Sequence, residues 1–278
     1  MMRTMLQMSR RLAAVATFAL PAMLMAPDTR QIVAVLPFDN ASIGPSAHDY
    51  DLLGKGIQDL LVTELASSAS VRVVDRAHIQ QVMDEQKITR DQLADPATQL
   101  RLGKILNAHY MITGSFISDG KSQVVLTSRS IDVETTQVGN PEKIQDKADD
   151  ILGTVNKLVA KVAADLKLPA LTATPGTPGN VGSAQQSGGS KPAAGNASPA
   201  TQPATAAGGT VEYAKALPPA ELKKTNAVKL DFKTAVIYGQ ACDAQDQKQS
   251  AKATQLFKQV LAKSPDFVPA QEHLAQLQ

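Results

Sequence analysis

Residues 96–116 read PATQLRLGKILNAHYMITGSF, and this stretch decides the fold class. Asp95 before Pro96 is a helix start: the carboxylate can accept from the first free N–H groups, and proline fits where its missing N–H costs nothing. The spacing predicts a helix over about 96–107, with Leu100, Gly103 and Leu106 inward. A polar turn follows, and Tyr110–Phe116 reads as a strand. A helix that runs through a short turn into an apolar strand is the building unit of a layered α/β domain.

Upstream the pattern repeats. Residues 31–37, QIVAVLP, form a short Val/Ile-rich run that predicts a buried strand, followed by the loop PFDNASIGPSAHD. Residues 50–68 predict a helix with Leu53, Ile57, Leu60, Leu61 and Leu65 on one face. Lys55, Gln58, Asp59 and Glu64 lie elsewhere on it, and Asp49 or Asp51 is placed to cap it. Val71–Val74 predicts a strand, and Asp75 caps a helix over about 76–87 carrying Ile79, Val82 and Met83.

Downstream, Ser118–Lys121 is a tight turn into the longest strand, 122–133. Val125, Thr127, Arg129, Ile131 and Val133 share one of its faces; Val124, Leu126, Ser128 and Ser130 share the other. Glu134–Thr136 turns into a short strand at Gln137–Val138. A long helix is expected over about 142–168, on a stripe from Ile144 through Ala148 and Ile151 to Leu166, and is expected to cover the sheet.

The two ends differ from this domain. Residues 1–26 carry +3 and no acid: Arg10–Arg11 precede an apolar run, Leu12 to Met25, that is short for a membrane span and fits a secretory signal. Cleavage after Ala26 or after Ala22 both fit, and no Cys follows the run, so lipoprotein processing is not expected. Of the 42 residues 169–210, 34 are Pro, Gly, Ala, Ser or Thr and none is aromatic, which predicts a disordered linker with a reach of about 35 Å. After the linker, residues 229–278 turn helical. Lys252–Lys263 carries an apolar face and stops at Ser264–Pro265; Pro269 opens a last short helix. The expected division is therefore signal 1–26, α/β domain 27–168, linker 169–210 and helical segment 211–278.

The 278 residues are 43 % hydrophobic and 19 % charged, with net charge +2. That charge divides as +3 in residues 1–26, −4 in 27–168, +1 in 169–210 and +2 in 211–278, so no basic face for nucleic acid is indicated. With 4 % aromatics and no Trp, the core is aliphatic. One cysteine, Cys242, excludes an internal disulfide framework and any multi-cysteine metal site.

No catalytic constellation emerges. Gly54–Lys55–Gly56 sits within a helical stripe and lacks the remainder of a phosphate loop, so close helix packing is expected there. His78 and His109 sit near element ends. Asp84–Glu85 and Asp149–Asp150 are neighbours that would point apart on a helix. Ser115 lacks the flanks of a nucleophile elbow, and Cys242 is expected as a small core residue. No catalytic, cofactor-binding or metal-binding residue is assigned.

Five stretches resemble the CsgG/HfaB curli-assembly family and its relatives with TolB amino-terminal-like domains. They are IVAVLPFDN (32–40), LLGKGIQDLLVTEL (52–65), VRVVDRAHIQQVMDEQ (71–86), LGKILNAHYMITGSF (102–116) and SRSIDVETTQV (128–138). The resemblance implies a three-layer α/β domain with a mixed sheet, in the bacterial envelope. It does not carry a pore, because the connections at Ser118–Lys121 and Glu134–Thr136 are too short for membrane hairpins. Ala253, Phe257, Val260 and Pro265 resemble the second helix of a tetratricopeptide repeat, with Tyr238 and Gly239 in its first; a plain helical hairpin fits as well. One repeat is short of a stable array, so this segment should pack on a partner, a second copy or the first domain.

The expected function is that of an exported, non-enzymatic envelope protein, periplasmic rather than lipid-anchored, supporting assembly or secretion through protein contacts. Envelope proteins or a second copy are its expected partners, without nucleic acid or cofactor. Membrane association would come only through an uncleaved signal or a partner. The alternative is a periplasmic small-ligand binder or hydrolase that uses the loop after the first strand, at a strand's carboxyl end.

Overall fold

The computed structural model describes residues 30–45, 47–68, 70–166 and 211–278. The export segment expected over 1–26 and the linker expected over 169–210 lie outside the described residues.

Six strands form one mixed sheet: β1 (Gln31–Val35), β2 (Asp39–Asn40), β3 (Val71–Val73), β4 (Tyr110–Ser118), β5 (Gln123–Asp132) and β6 (Glu142–Lys147). The order is β3-β1-β4-β5-β6, with β2 pairing β4 beyond the end of β1. β1 runs parallel to β3 and β4, and the β4–β5–β6 meander is antiparallel.

One face of the sheet carries α1 (Leu53–Ala66) and α4 (Ile151–Asp165); the other carries α2 (Arg76–Glu85) and α3 (Pro96–Ile105). Alternation on the strands sorts the side chains. Val33, Val35, Ile112, Phe116, Val124 and Leu126 enter the first core; Ala34, Leu36, Met111, Ile131 and Val133 enter the second. The expected three layers and the two faces of β5 are thus observed. Asp75 and Asp95 cap α2 and α3 as the sequence indicates. Asn107, in the left-handed region at φ 51°, ends α3 and delivers the chain to β4.

Four expectations are corrected. Residues 142–147 are a strand rather than a helix start: they pair with β5, Ile144 opposite Leu126, and Asp150 then caps the shorter α4. Gln137–Val138 supplies only a single bridge, Ile131 to Val138. The loop after β1 contains β2, which continues the parallel pairing on β4. Neither Asp49 nor Asp51 caps α1; its N-cap is Leu52, without a side-chain bond. Asp51 instead accepts from Asn40 Nδ2 at 2.7 Å.

The carboxyl-terminal region comprises α5 (Pro219–Ala227), α6 (Phe232–Asp246), α7 (Ser250–Lys263) and α8 (Val268–Gln276). α5 was not expected from the sequence. Of the packing choices open to this segment, the structure shows the first domain. Tyr238, Phe257 and Phe267 share one continuous core with Val35, Ile57 and Leu158. α1 is consequently buried nearly all round, as a helix covered by packing on both sides must be.

The two sheet edges are treated differently. At β3, the chain around Tyr213 adds a short antiparallel bridge: Ala214 N–H donates to Val73 at 2.8 Å, and the Arg72 guanidinium lies over the Tyr213 ring. The outer edge of β6 is charged, EKIQDK. Every two-fold-symmetric antiparallel pairing of β6 with itself sets like charges opposite: Glu142 to Asp146, Lys143 to Lys147, or a charge to its own copy. Such pairs are destabilising, so this edge is protected against self-association.

Candidate functional site

Polar groups concentrate in two places. The first is buried where α1 and α2 meet α6 and α8. Asp59, on the side of α1 opposite its apolar stripe, is 4 % exposed. It accepts from Arg76 Nε at 2.9 Å, from the Tyr238 hydroxyl and from His273 Nε2 at 3.1 Å. Arg76 also pairs with Asp246, and Lys55 bridges Asp243 at 2.8 Å and Asp246 at 2.9 Å. The His273 ring stacks on Phe257, with centroids 5.1 Å apart.

Small residues allow this approach. Gly56 faces Gly239: a Cβ on Gly56 would meet the Gly239 Cα at 3.2 Å, and one on Gly239 would overlap the Leu52 carbonyl. The expected role of Gly54–Lys55–Gly56 in close helix packing is therefore observed, with the glycine of the Tyr238–Gly239 pair as its partner. Gly54 packs against the Phe38 carbonyl in the same manner.

Burial would raise the Asp59 carboxyl, but His273, Arg76 and Tyr238 outweigh it and hold its pKa well below the ordinary range. Burial pushes the Tyr238 hydroxyl and the Cys242 thiol well up, with the Asp59 charge adding to both. Asp59, Cys242 and His273 bring ligand-type atoms within 4.8 Å of one another. They do not fit a metal. Arg76 and Tyr238 already occupy the Asp59 oxygens, and a cation would face the guanidinium. The charges of the cluster pair with one another across two parts of the chain; among the described residues His273 Nδ1 is buried without a partner, and a cavity of about 180 Å³ lies against Asp59, Arg76, Glu272 and His273.

The second place is a cavity of about 290 Å³ on the α2–α3 face, where α3 stops short of the distal half of the sheet. Its walls include Asp39 of β2, Gln99 of α3, Thr113 and Ser115 of β4, and Thr127 and Arg129 of β5. Strand register orders them. Asp39, Ser115 and Thr127 form one lateral row, and Thr113 stands opposite Arg129 in the next. Gln99 is 2 % exposed; its Nε2 donates to the Leu93 carbonyl, while its Oε1 has no partner. Burial raises the Asp39 carboxyl against the lowering effect of Arg90. The loop expected to form a pocket after the first strand reaches this cavity through Asp39, and Ser115 lines it as well.

The remaining candidates are dispersed. His109 Nδ1 accepts from Ile32 N–H at 2.9 Å at the start of the sheet. Asp150 is a helix cap and Asp149 is exposed; Asp84 and Glu85 are exposed on α2. Cys242 is buried on α6, as expected. The Asp59 cluster was not legible from the sequence, because Asp59 and Lys55 read as the solvated side of α1. The signal available was the glycine pair on that side, which marks a second packing surface.

Residues 17–139 match the family model described as curli production assembly/transport component CsgG. No curated protein matches the chain. Among solved structures, the chain is similar to the LpoB carboxyl-terminal domain from Salmonella enterica, at 15 % identity and TM-score 0.31 over 44 % of this chain and 88 % of that one. It is similar to lipoprotein GNA1162 from Neisseria meningitidis, at 16 % identity and TM-score 0.37 over 51 % and 99 %. It is also similar to PelC from Paraburkholderia phytofirmans, solved as a dodecamer, at 18 % identity and TM-score 0.30 over 50 % and 88 %.

Proposed function

Taking residues 17–139 as a CsgG-like stretch, we propose that this is an exported, non-enzymatic envelope protein that supports assembly or secretion through protein contacts. The match to a family of assembly and transport components is the observation that carries the reading. The Asp59 cluster supports it from the chemical side. The groups that could act as acid, base or nucleophile there are locked into ion pairs and hydrogen bonds that join two parts of the chain. Such a cluster supports a structural role for these charges as a rigid platform between the two parts of the chain.

The platform is not a pore in this reading. β4 and β5 are joined by residues 119–122, and β5 and β6 by residues 133–141. Neither connection provides the pair of roughly 9–11-residue strands that a membrane hairpin needs. Among the described residues, no helix is long and apolar enough to cross a membrane.

Crosslinking in intact cells that express the full chain, followed by fractionation and mass spectrometry, tests the proposal. The expected result is the chain in the envelope fraction with a reproducible crosslinked envelope protein. Full-length chain confined to the cytoplasm contradicts it, and single-channel conductance from the purified protein in a planar bilayer contradicts the non-pore part.

A further inference from the structure

On the side of the sheet that carries α2 and α3, the strands beyond the end of α3 stay open. Ile117 of β4, Gln123 and Arg129 of β5, and Lys143, Gln145 and Lys147 of β6 are all exposed there. Residues directly opposite each other share a face, so Ile117, Val125 and Gln145 form one row of it. Lys143 beside Thr127 and Lys147 beside Gln123 flank that row. Val138, bridged to Ile131, belongs to the same face at its other end. Ile117 and Val138 are large apolar side chains left 50 % and 60 % exposed, which a buried core would not waste.

Alternation along β6 also sorts its charges. Glu142 and Asp146 point to the α4 side, where Lys161 and Lys157 pair with them. Lys143 and Lys147 point to the open side. Neither they nor Arg129 makes an ion pair among the described residues. The β5–β6 half of the open face therefore presents cations and no acid. Asp39, on the β2 side of the face, lies 3.9 Å from Arg90. The charge that this half of the face lacks must come from whatever covers it.

Shape and chemistry choose the occupant. The stretch of β5 from Ile131 to Val125 is about 20 Å long, which about 13 helical residues would span. Apolar side chains at both ends with cations between them match a helix that has an apolar stripe and acidic flanks. No aromatic side chain stands on this half of the face to stack a base, which disfavours single-stranded nucleic acid. This chain does not supply the helix itself. Residues 1–26 and 169–210 contain no Asp or Glu. α2 exposes Asp84 and Glu85, but its Ile79, Val82 and Met83 are already buried in the second core. We propose that the open sheet face docks an acidic amphipathic helix of a partner protein. Its apolar residues cover Ile117, Val125 and Val138, and its carboxylates pair with Arg129, Lys143 and Lys147. The inference rests on the protein-contact reading above and gives that reading a surface.

Photocrosslinking in intact cells from p-benzoyl-L-phenylalanine placed at Gln145 of the full chain tests it, with the same group at Gln259 on α7 as the control. Both positions are exposed. Expected is a protein adduct from position 145 whose partner peptide, mapped by mass spectrometry, is rich in Asp and Glu, and no such adduct from position 259. Lys143→Glu combined with Lys147→Glu should lower the adduct about tenfold. Lys252→Glu combined with Lys258→Glu, the same charge change on exposed positions of α7, should leave it unchanged, and melting temperatures check that both variants fold. An adduct to nucleic acid or to a second copy, a partner peptide without acids, or an undiminished adduct in the β6 variant would overturn the proposal. So would the absence of any adduct from position 145; if general crosslinking still captures an envelope protein, the protein-contact reading stands without this surface.

Discussion

The Asp59 cluster and the Gln99 cavity are both polar, yet they have opposite economies of hydrogen bonding. In the cluster, Asp59 receives three donors, Arg76 pairs with Asp59 and Asp246, and Lys55 pairs with Asp243 and the same Asp246. At the cavity, among the described residues, the buried Gln99 Oε1 receives no donor and the Arg129 guanidinium has no ion pair. The cluster lies between elements far apart in sequence and holds them together. The cavity lies where a helix ends before the sheet does. A saturated polar network resists change and specifies a structure; an unsaturated one has capacity left for something else.

The largest effect should come from breaking the cluster. Arg76→Leu leaves Asp59 and Asp246 buried without their guanidinium and should cost about 3–5 kcal/mol in urea unfolding. Because Asp59 titrates well below its unfolded value, its stabilisation is complete above about pH 4 and is lost as the pH falls through its folded pKa. Acid unfolding of Asp59→Asn should accordingly be shallower below pH 4 than that of the parent.

Gly239→Ala attacks the same junction through sterics. The added Cβ overlaps the Leu52 carbonyl, α6 must retreat from α1, and the expected loss is about 1–3 kcal/mol, read as a lowered melting temperature.

Glu64 tests the edge of the comparison. It lies on α1 beside the junction, nearly buried, with Oε1 unpartnered and only Asn226 at 3.5 Å from its other oxygen. Burial pushes its carboxyl up to about 7. The folded state therefore holds a proton that the unfolded state has released between about pH 4.5 and 7. Stability falls as the pH rises through that window. Glu64→Gln should stabilise by roughly 1–3 kcal/mol at pH 8 and by little at pH 5, measured as paired urea midpoints.

The smallest effect on stability should come from the cavity. Arg129→Gln is expected to change unfolding free energy by less than about 0.5 kcal/mol, as exposed substitutions do. A loss comparable to that of Arg76→Leu would show the cavity to be a structural site as well and would erase the distinction.

The α/β layers were legible in the sequence because caps and periods agreed: Asp75 and Asp95 mark helix starts, and Tyr110–Phe116 follows one directly. β6 was not legible. Its single apolar residue, Ile144, fits the helical stripe of α4 as well as a strand, and pairing with β5 decides between them. The loop containing Asp39 was identified as a place for a ligand, but Gln99 and Arg129 come to it from α3 and β5 through tertiary packing. The Asp59 cluster was hidden for a related reason. A polar residue on a helix reads as solvated until a second layer covers it, and here that layer, α6, lies about 180 residues away in sequence.

The Asp59 cluster joins the α/β layers and the carboxyl-terminal helices into one cooperative body. Native-state hydrogen exchange on the full chain tests this most directly. Amides of α1, β1 and α6 should exchange with the same opening free energy and lose protection together at the same denaturant concentration. Exchange of α6 to α8 at a clearly lower free energy, with α1 and β1 still protected, would contradict it.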